Sequence, residues 1–119
     1  MSLAGDRQAI AAALSTAAGV TGHEFRPANP RQPVRLRAGD AWPLLGAMER
    51  GPGRAFEVTW QVLVYLPQDG VKAAQWIDDH HEALVDALEQ VGFVDRIEPT
   101  TIPDGDANPY VLQITMRSE

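Results

Sequence analysis

Residues 41–67 read AWPLLGAMER, GPG, RAFEVTWQVLVYLP: two long extended runs joined by a turn. In the second run Phe56, Val58, Trp60, Val62, Val64 and Leu66 fall on one face at period two. The opposite face carries Glu57, Thr59, Gln61, Leu63 and Tyr65, which is mixed rather than polar. A strand this long and this apolar on one side must lie against a layer of helix. Its other side offers Leu63 and Tyr65 to solvent, a substrate or another subunit. Gly51-Pro52-Gly53 is turn chemistry. Pro43 confines the preceding strand, residues 42–49, to an edge or a late start.

Outward from this hairpin the elements follow in order. Residues 2–18 predict a helix: Leu3, Arg7, Ile10, Leu14 and Ala17 recur at helical spacing, and Gly19 is a suitable stop. Ser2 and Asp6 are both competent caps. Residues 20–26 predict a short strand with His23 and Phe25 on one side. Residues 27–39 set Pro27, Pro30 and Pro33 among Arg31, Arg35 and Arg37, which predicts an exposed, partly extended, cationic loop. After Pro67-Gln68-Asp69-Gly70, residues 71–91 predict a second helix. Its apolar stripe is Ala73, Ile77, Leu84, Leu88 and Val91, flanked by Ala74, His81 and Ala87, with Gly92 as its stop. A strand over residues 93–98, a loop over 99–109 and a strand from Tyr110 complete the chain. In that last strand Tyr110, Leu112, Ile114 and Met116 oppose Val111, Gln113, Thr115 and Arg117. The order α-β-β-β-α-β-β predicts an α+β fold: a single two-layer domain over residues 1–119, with two helices on one face of a mostly antiparallel sheet.

Composition narrows the function classes. At 119 residues there is room for one core, and no cysteine is present for disulfides, thiolate catalysis or thiolate-bound zinc. No apolar run approaches the roughly 20 residues of a membrane-spanning helix. Asp6 and Arg7 interrupt the alanine-rich opening, which lacks the order of a signal peptide, so a soluble intracellular protein is expected. The net charge of −6 is unevenly spread. Residues 1–54 hold seven arginines against four acids, whereas residues 55–119 hold three basic residues against twelve acids. Such a split suits solvation, and it also suits pairing between copies of the chain. Overall acidity argues against a dedicated nucleic-acid binder.

The sequence holds no complete catalytic pattern. In Asp78-Asp79-His80-His81-Glu82 adjacent histidines point about 100° apart on a helix and cannot share a metal. A zinc-protease pattern needs a histidine where Val85 stands, and a zinc-deaminase reading of His80 and Glu82 needs absent cysteines. His23 has Glu24 and Asp95 as candidate partners but no supporting spacing. Ser2, Ser15 and Ser118 lie outside any nucleophile elbow, and Gly51-Pro52-Gly53-Arg54 lacks the residues of a phosphate loop. The expectation is a non-enzyme without cofactor or metal. Arg26, Arg31, Arg35, Arg37, Arg50 and Arg54 suit three surroundings: phosphate, the acidic second helix of a neighbouring copy, or plain solvent. No aromatic residue lies among Arg31, Arg35 and Arg37 for base stacking.

Four stretches carry a resemblance: SLAGDRQAIAAALSTAAGV (residues 2–20), GDAWPLLGAMERGPGRAFEVTWQVLVYLPQD (39–69), AAQWIDDHHEALVDALEQV (73–91), and VDRIEP (94–99) with YVLQITMRSE (110–119). Together they resemble the tail terminator proteins (tail-completion or minor tail proteins) of long-tailed phages that infect actinobacteria. The resemblance lies in element order, size and these phrases, and covers nearly the whole chain. It implies an α/β domain assembled as a hexameric ring that caps the head-proximal end of the tail tube and stops its polymerisation. The implied partners are further copies of the chain, the major tail (tube) protein and the head-completion or stopper protein, with DNA passing through the lumen unread and no membrane. The implied location is the virion, after assembly in the host cytoplasm. On this reading Arg35, Arg37, Arg50, Arg54, Leu63, Tyr65, Asp78, Asp79, Glu82 and Asp86 are the candidate subunit-contact residues. Competing readings are another head-tail connector (stopper or adaptor), a small non-catalytic binding or inhibitor module, and an enzyme built on His23, His80 or His81.

Overall fold

The computed structural model describes residues 2–28, 31, 35–50, 56–103 and 108–118. Two helices, α1 (Leu3–Leu14) and α2 (Gly70–Leu88), accompany five strands: β1 (Thr21–Gly22), β2 (Asp40–Arg50), β3 (Phe56–Tyr65), β4 (Phe93–Thr101) and β5 (Tyr110–Ser118). The order α-β-β-β-α-β-β and the mostly antiparallel α+β sheet are those the sequence predicts. The strands lie side by side as β1-β2-β3-β5-β4. β2 is antiparallel to β3, β3 to β5, and β5 to β4, while β1 runs parallel to β2. β3 and β4 are therefore parallel with β5 inserted between them, and α2 is the crossover that joins them.

Side-chain caps start both helices. Ser2 Oγ accepts from the Gly5 N–H at 2.9 Å, which settles the cap in favour of Ser2. Asp69 Oδ1 accepts from Val71 and Lys72 N–H at 3.0 and 3.1 Å. One face of the sheet meets both helices. Trp60, Val62, Val64, Leu66, Leu112, Ile114 and Met116 pack there against Ile10 and Leu14 of α1 and Leu84 and Leu88 of α2, all essentially solvent-free. Phe56, expected on this face, extends past the helices and is exposed.

Several boundaries differ from the expectation. α1 ends four residues early, because Thr16 Oγ1 donates to the Ala13 carbonyl at 2.6 Å and the chain turns at Gly19, whose φ is +78°. The strand expected over residues 20–26 contracts to two residues, held where Thr21 and His23 N–H reach the Gly39 and Ala41 carbonyls at 3.0 and 2.8 Å. β4 runs on through Pro99 to Thr101, which an edge strand tolerates. α2 ends at Leu88, and Gly92 serves close packing rather than a left-handed stop: a Cβ there would lie 2.5 Å from the Arg117 carbonyl oxygen.

The other face of the sheet divides in two. Trp42, Leu63 and Val111 form a second buried cluster with Leu36, Tyr65 and Ile102 against it. Beyond it the face turns polar, with Thr115 donating to Gln61 at 3.0 Å and Arg117 bridging Asp95 and Glu57 at 2.8 and 3.3 Å.

Candidate subunit-contact surfaces

The reactive side chains are spent locally. His80 stacks on Trp76 with ring centroids 4.1 Å apart, and its Nδ1 donates to the Trp76 carbonyl at 2.7 Å. His81 Nδ1 donates to the Ile77 carbonyl at 2.8 Å. Both histidines thus bond one turn back along their own helix. His23 Nε2 lies 3.1 Å from Asp40 Oδ1, whose second oxygen accepts from the Arg37 N–H at 2.8 Å. His23 pairs with neither Glu24 nor Asp95. This pair ties β1 to the start of β2. Among the described residues, no three histidines or acids are placed together as a metal site. The hydrogen bonds it donates, to Asp95 first and Glu57 second, raise the Arg117 guanidinium above its ordinary value, so it is cationic across the working range of pH.

The predicted contact residues separate into groups. Leu63 is only 5% exposed, packed between Trp42 and Val111, and Tyr65 is half-buried beside it. The expectation that Leu63 is offered to a partner is corrected: the alternation that turns it from the main core turns it into the second cluster. Arg35 and Arg37 are exposed just before β2, and Arg50 is exposed at its far end. Ten residue steps at about 3.3 Å separate these ends by roughly 30 Å, so the arginines form two sites rather than one patch. The Arg50 guanidinium sits 5.3 Å over the Phe56 ring. Arg54 lies outside the described residues.

Asp78, Asp79, Glu82 and Asp86 are all exposed on α2. Asp78, Glu82 and Asp86 recur at intervals of four, an arrangement that destabilises a helix by about 0.2–0.5 kcal/mol per like-charged pair. No basic residue stands in the last turn of α2 to offset them. Among the described residues none of these carboxylates has an ion-pair partner.

Sequence reasoning missed the state of the two sheet edges. β1 covers only Asp40 and Ala41 of β2, and residues 44–50 are exposed throughout, including Leu44, Leu45 and Met48. The Ala41 carbonyl is turned outward to His23, so alternate residues Pro43 and Leu45 also turn their backbone outward. The register shift between Leu45 and Ala47 moves this alternation to Met48 and Arg50. On β4 the same alternation turns Ile97, Pro99 and Thr101 outward. Each edge thus carries a proline, where the missing N–H blocks pairing, and among the described residues its other half has no neighbouring strand. The signal was present in Pro43 and Pro99, but reading it needed the strand order.

A groove of about 550 Å³ lies at the proline end, between α2 and the strand pair β4–β5, lined by Ala73, Ala74, Ile77, Pro99 and Tyr110 among others. No protein-family model matches the chain, and no curated protein matches it.

Proposed function

We propose that this chain is a structural subunit of a phage tail: a tail terminator that assembles as a hexameric ring, caps the head-proximal end of the tail tube and ends its polymerisation. Its partners on this reading are its own copies, the tube protein and the head-completion protein, with DNA passing through the ring unread. The observation that carries the reading is the charge division between the margins of one small domain. Arg50, beside Glu49, stands at the free end of β2, and an uncompensated ladder of acids stands on α2. Head-to-tail contacts between unlike surfaces close into rings when the rotation permits. The sequence resemblance supplies the tail, and the reactive residues held in local bonds are consistent with structural work.

Electron microscopy of the purified protein, alone and with tail-tube protein, tests the proposal. Six-fold rings seated on tube ends are expected. A ring of another order, or one that leaves tube length unchanged, would move the protein to another position in the head-tail joint. The open apolar groove beside β4 favours one second reading, a small binding module, and a monomer at micromolar concentration would speak for it.

A further inference from the structure

We infer that the open half of β2 in one copy pairs with the open half of β4 in the next, so that the five-stranded sheets join edge to edge into one continuous sheet. This deepens the ring reading and rests on it. The occupant of each edge is a second copy of this chain.

Three features of the molecule converge on this pairing. The first is direction. β2 and β4 lie at opposite margins and run antiparallel to each other. Copies set side by side therefore bring antiparallel strands together and keep every helix layer on the same face. The second is the position of the free backbone groups. Pro43 and Pro99 occupy outward-turned positions at one end of the two edges, and β1 covers that end of β2. At the other end the outward N–H and C=O groups of Leu45, Met48 and Arg50 have no partner strand among the described residues, and neither have those of Phe93–Ile97. Level in the sheet, Leu45 falls on the same row as Trp60, Met116 and Val94, and Ala47 on that of Phe93, so the open halves overlap there, with Met48 and Arg50 running on past the start of β4.

The third is charge and apolar character. Leu45, Met48 and Arg50 pair with residues of the helix-side face, and all three are exposed. On that face of the β4 margin stand half-buried Val94 and Ile97 and the C-terminal half of α2, with exposed Glu82, Asp86 and Glu89. Unlike margins attract, Arg50 of one copy toward Glu82, Asp86 and Glu89 of the next, and this charge match favours β2-to-β4 pairing. A ladder alone is weak. Joined to the covering of exposed Leu45 and Met48 by the next copy and to paired charges, it makes the kind of strand addition that specifies partners.

The test uses two variants that each spoil one edge. Met48→Pro removes an outward N–H that the folded chain does not use in its own ladder, and Ile97→Pro does the same on β4. Glu82→Arg with Asp86→Arg replaces the second variant should Ile97→Pro lose its cooperative melt by circular dichroism. Light scattering on the wild type should give a multimer, and each variant alone should have the mass of one chain. An equimolar mixture should give the mass of two chains and no more, because only one good β2 edge and one good β4 edge remain. A β4-edge variant that still dimerises, or a Met48→Pro protein that keeps the wild-type mass, would overturn the inference while leaving a ring intact. A wild type that is itself a single chain would overturn the ring reading instead.

Discussion

Ser118 joins three parts of the molecule through one hydroxyl. It accepts from Trp60 Nε1 at 2.8 Å and donates to Asp6 Oδ2 at 3.1 Å. The Trp60 ring is fully buried at the centre of the sheet, and Ser118 is 4% exposed. A buried indole N–H left without an acceptor costs about 1–3 kcal/mol. Ser118→Ala should therefore lower the unfolding free energy by that amount in urea titration. Trp60→Phe made in the Ser118→Ala background should cost less than it does in the wild type, because the orphaned donor goes with the indole. In the sequence Ser118 lies outside any nucleophile elbow. Its structural role was not legible there, since it depends on a tryptophan in β3 and an aspartate in α1. Gly22 works at the same scale, because a Cβ on it would strike the Ala11 carbonyl oxygen, and this lets β1 pass close beneath α1.

At the scale of elements, the formation of α2 leans on one side chain at its start. Asp69 caps two N–H groups at its start, and the like charges along its outer face oppose it. Asp69→Ala should destabilise the protein by about 1 kcal/mol, read as a lower midpoint in thermal or urea unfolding. Much of this level was legible in the sequence. The period-two run from Val58 to Leu66 and the stripe of α2 named most of the main core, because burial on one face leaves a periodic trace. The second cluster left no such trace. Trp42, Leu63 and Val111 come from three strands, and only the strand order brings them together. The same missing order hid the contact surfaces: Arg50 and the acids of α2 were visibly charged, but their places on opposite margins follow from the crossover that inserts β5 between β3 and β4.

For the whole molecule, the charge division makes assembly sensitive to ionic strength. Arg50→Glu combined with Arg54→Glu should weaken the oligomer, shifting its mass toward the single chain in light scattering, and an unchanged mass would sink the arginine–acid pairing. Wild-type assembly should also weaken as salt rises from about 0.1 to 1 M, where the screening length falls from about 10 to 3 Å. The inserted strand has a consequence for the timing of synthesis. β5 is last in order among the described elements yet sits inside the sheet, with β3 and β4 each relying on it for a neighbour. A ribosome that has translated everything before Tyr110 has made β3 and β4 but cannot join them. The two halves of the domain wait, and its edges stay unready for a neighbouring copy, until residues 110–118 emerge. A chain cut before Tyr110 should accordingly show no cooperative melt by circular dichroism, and a sharp transition in that fragment would disprove this order of events.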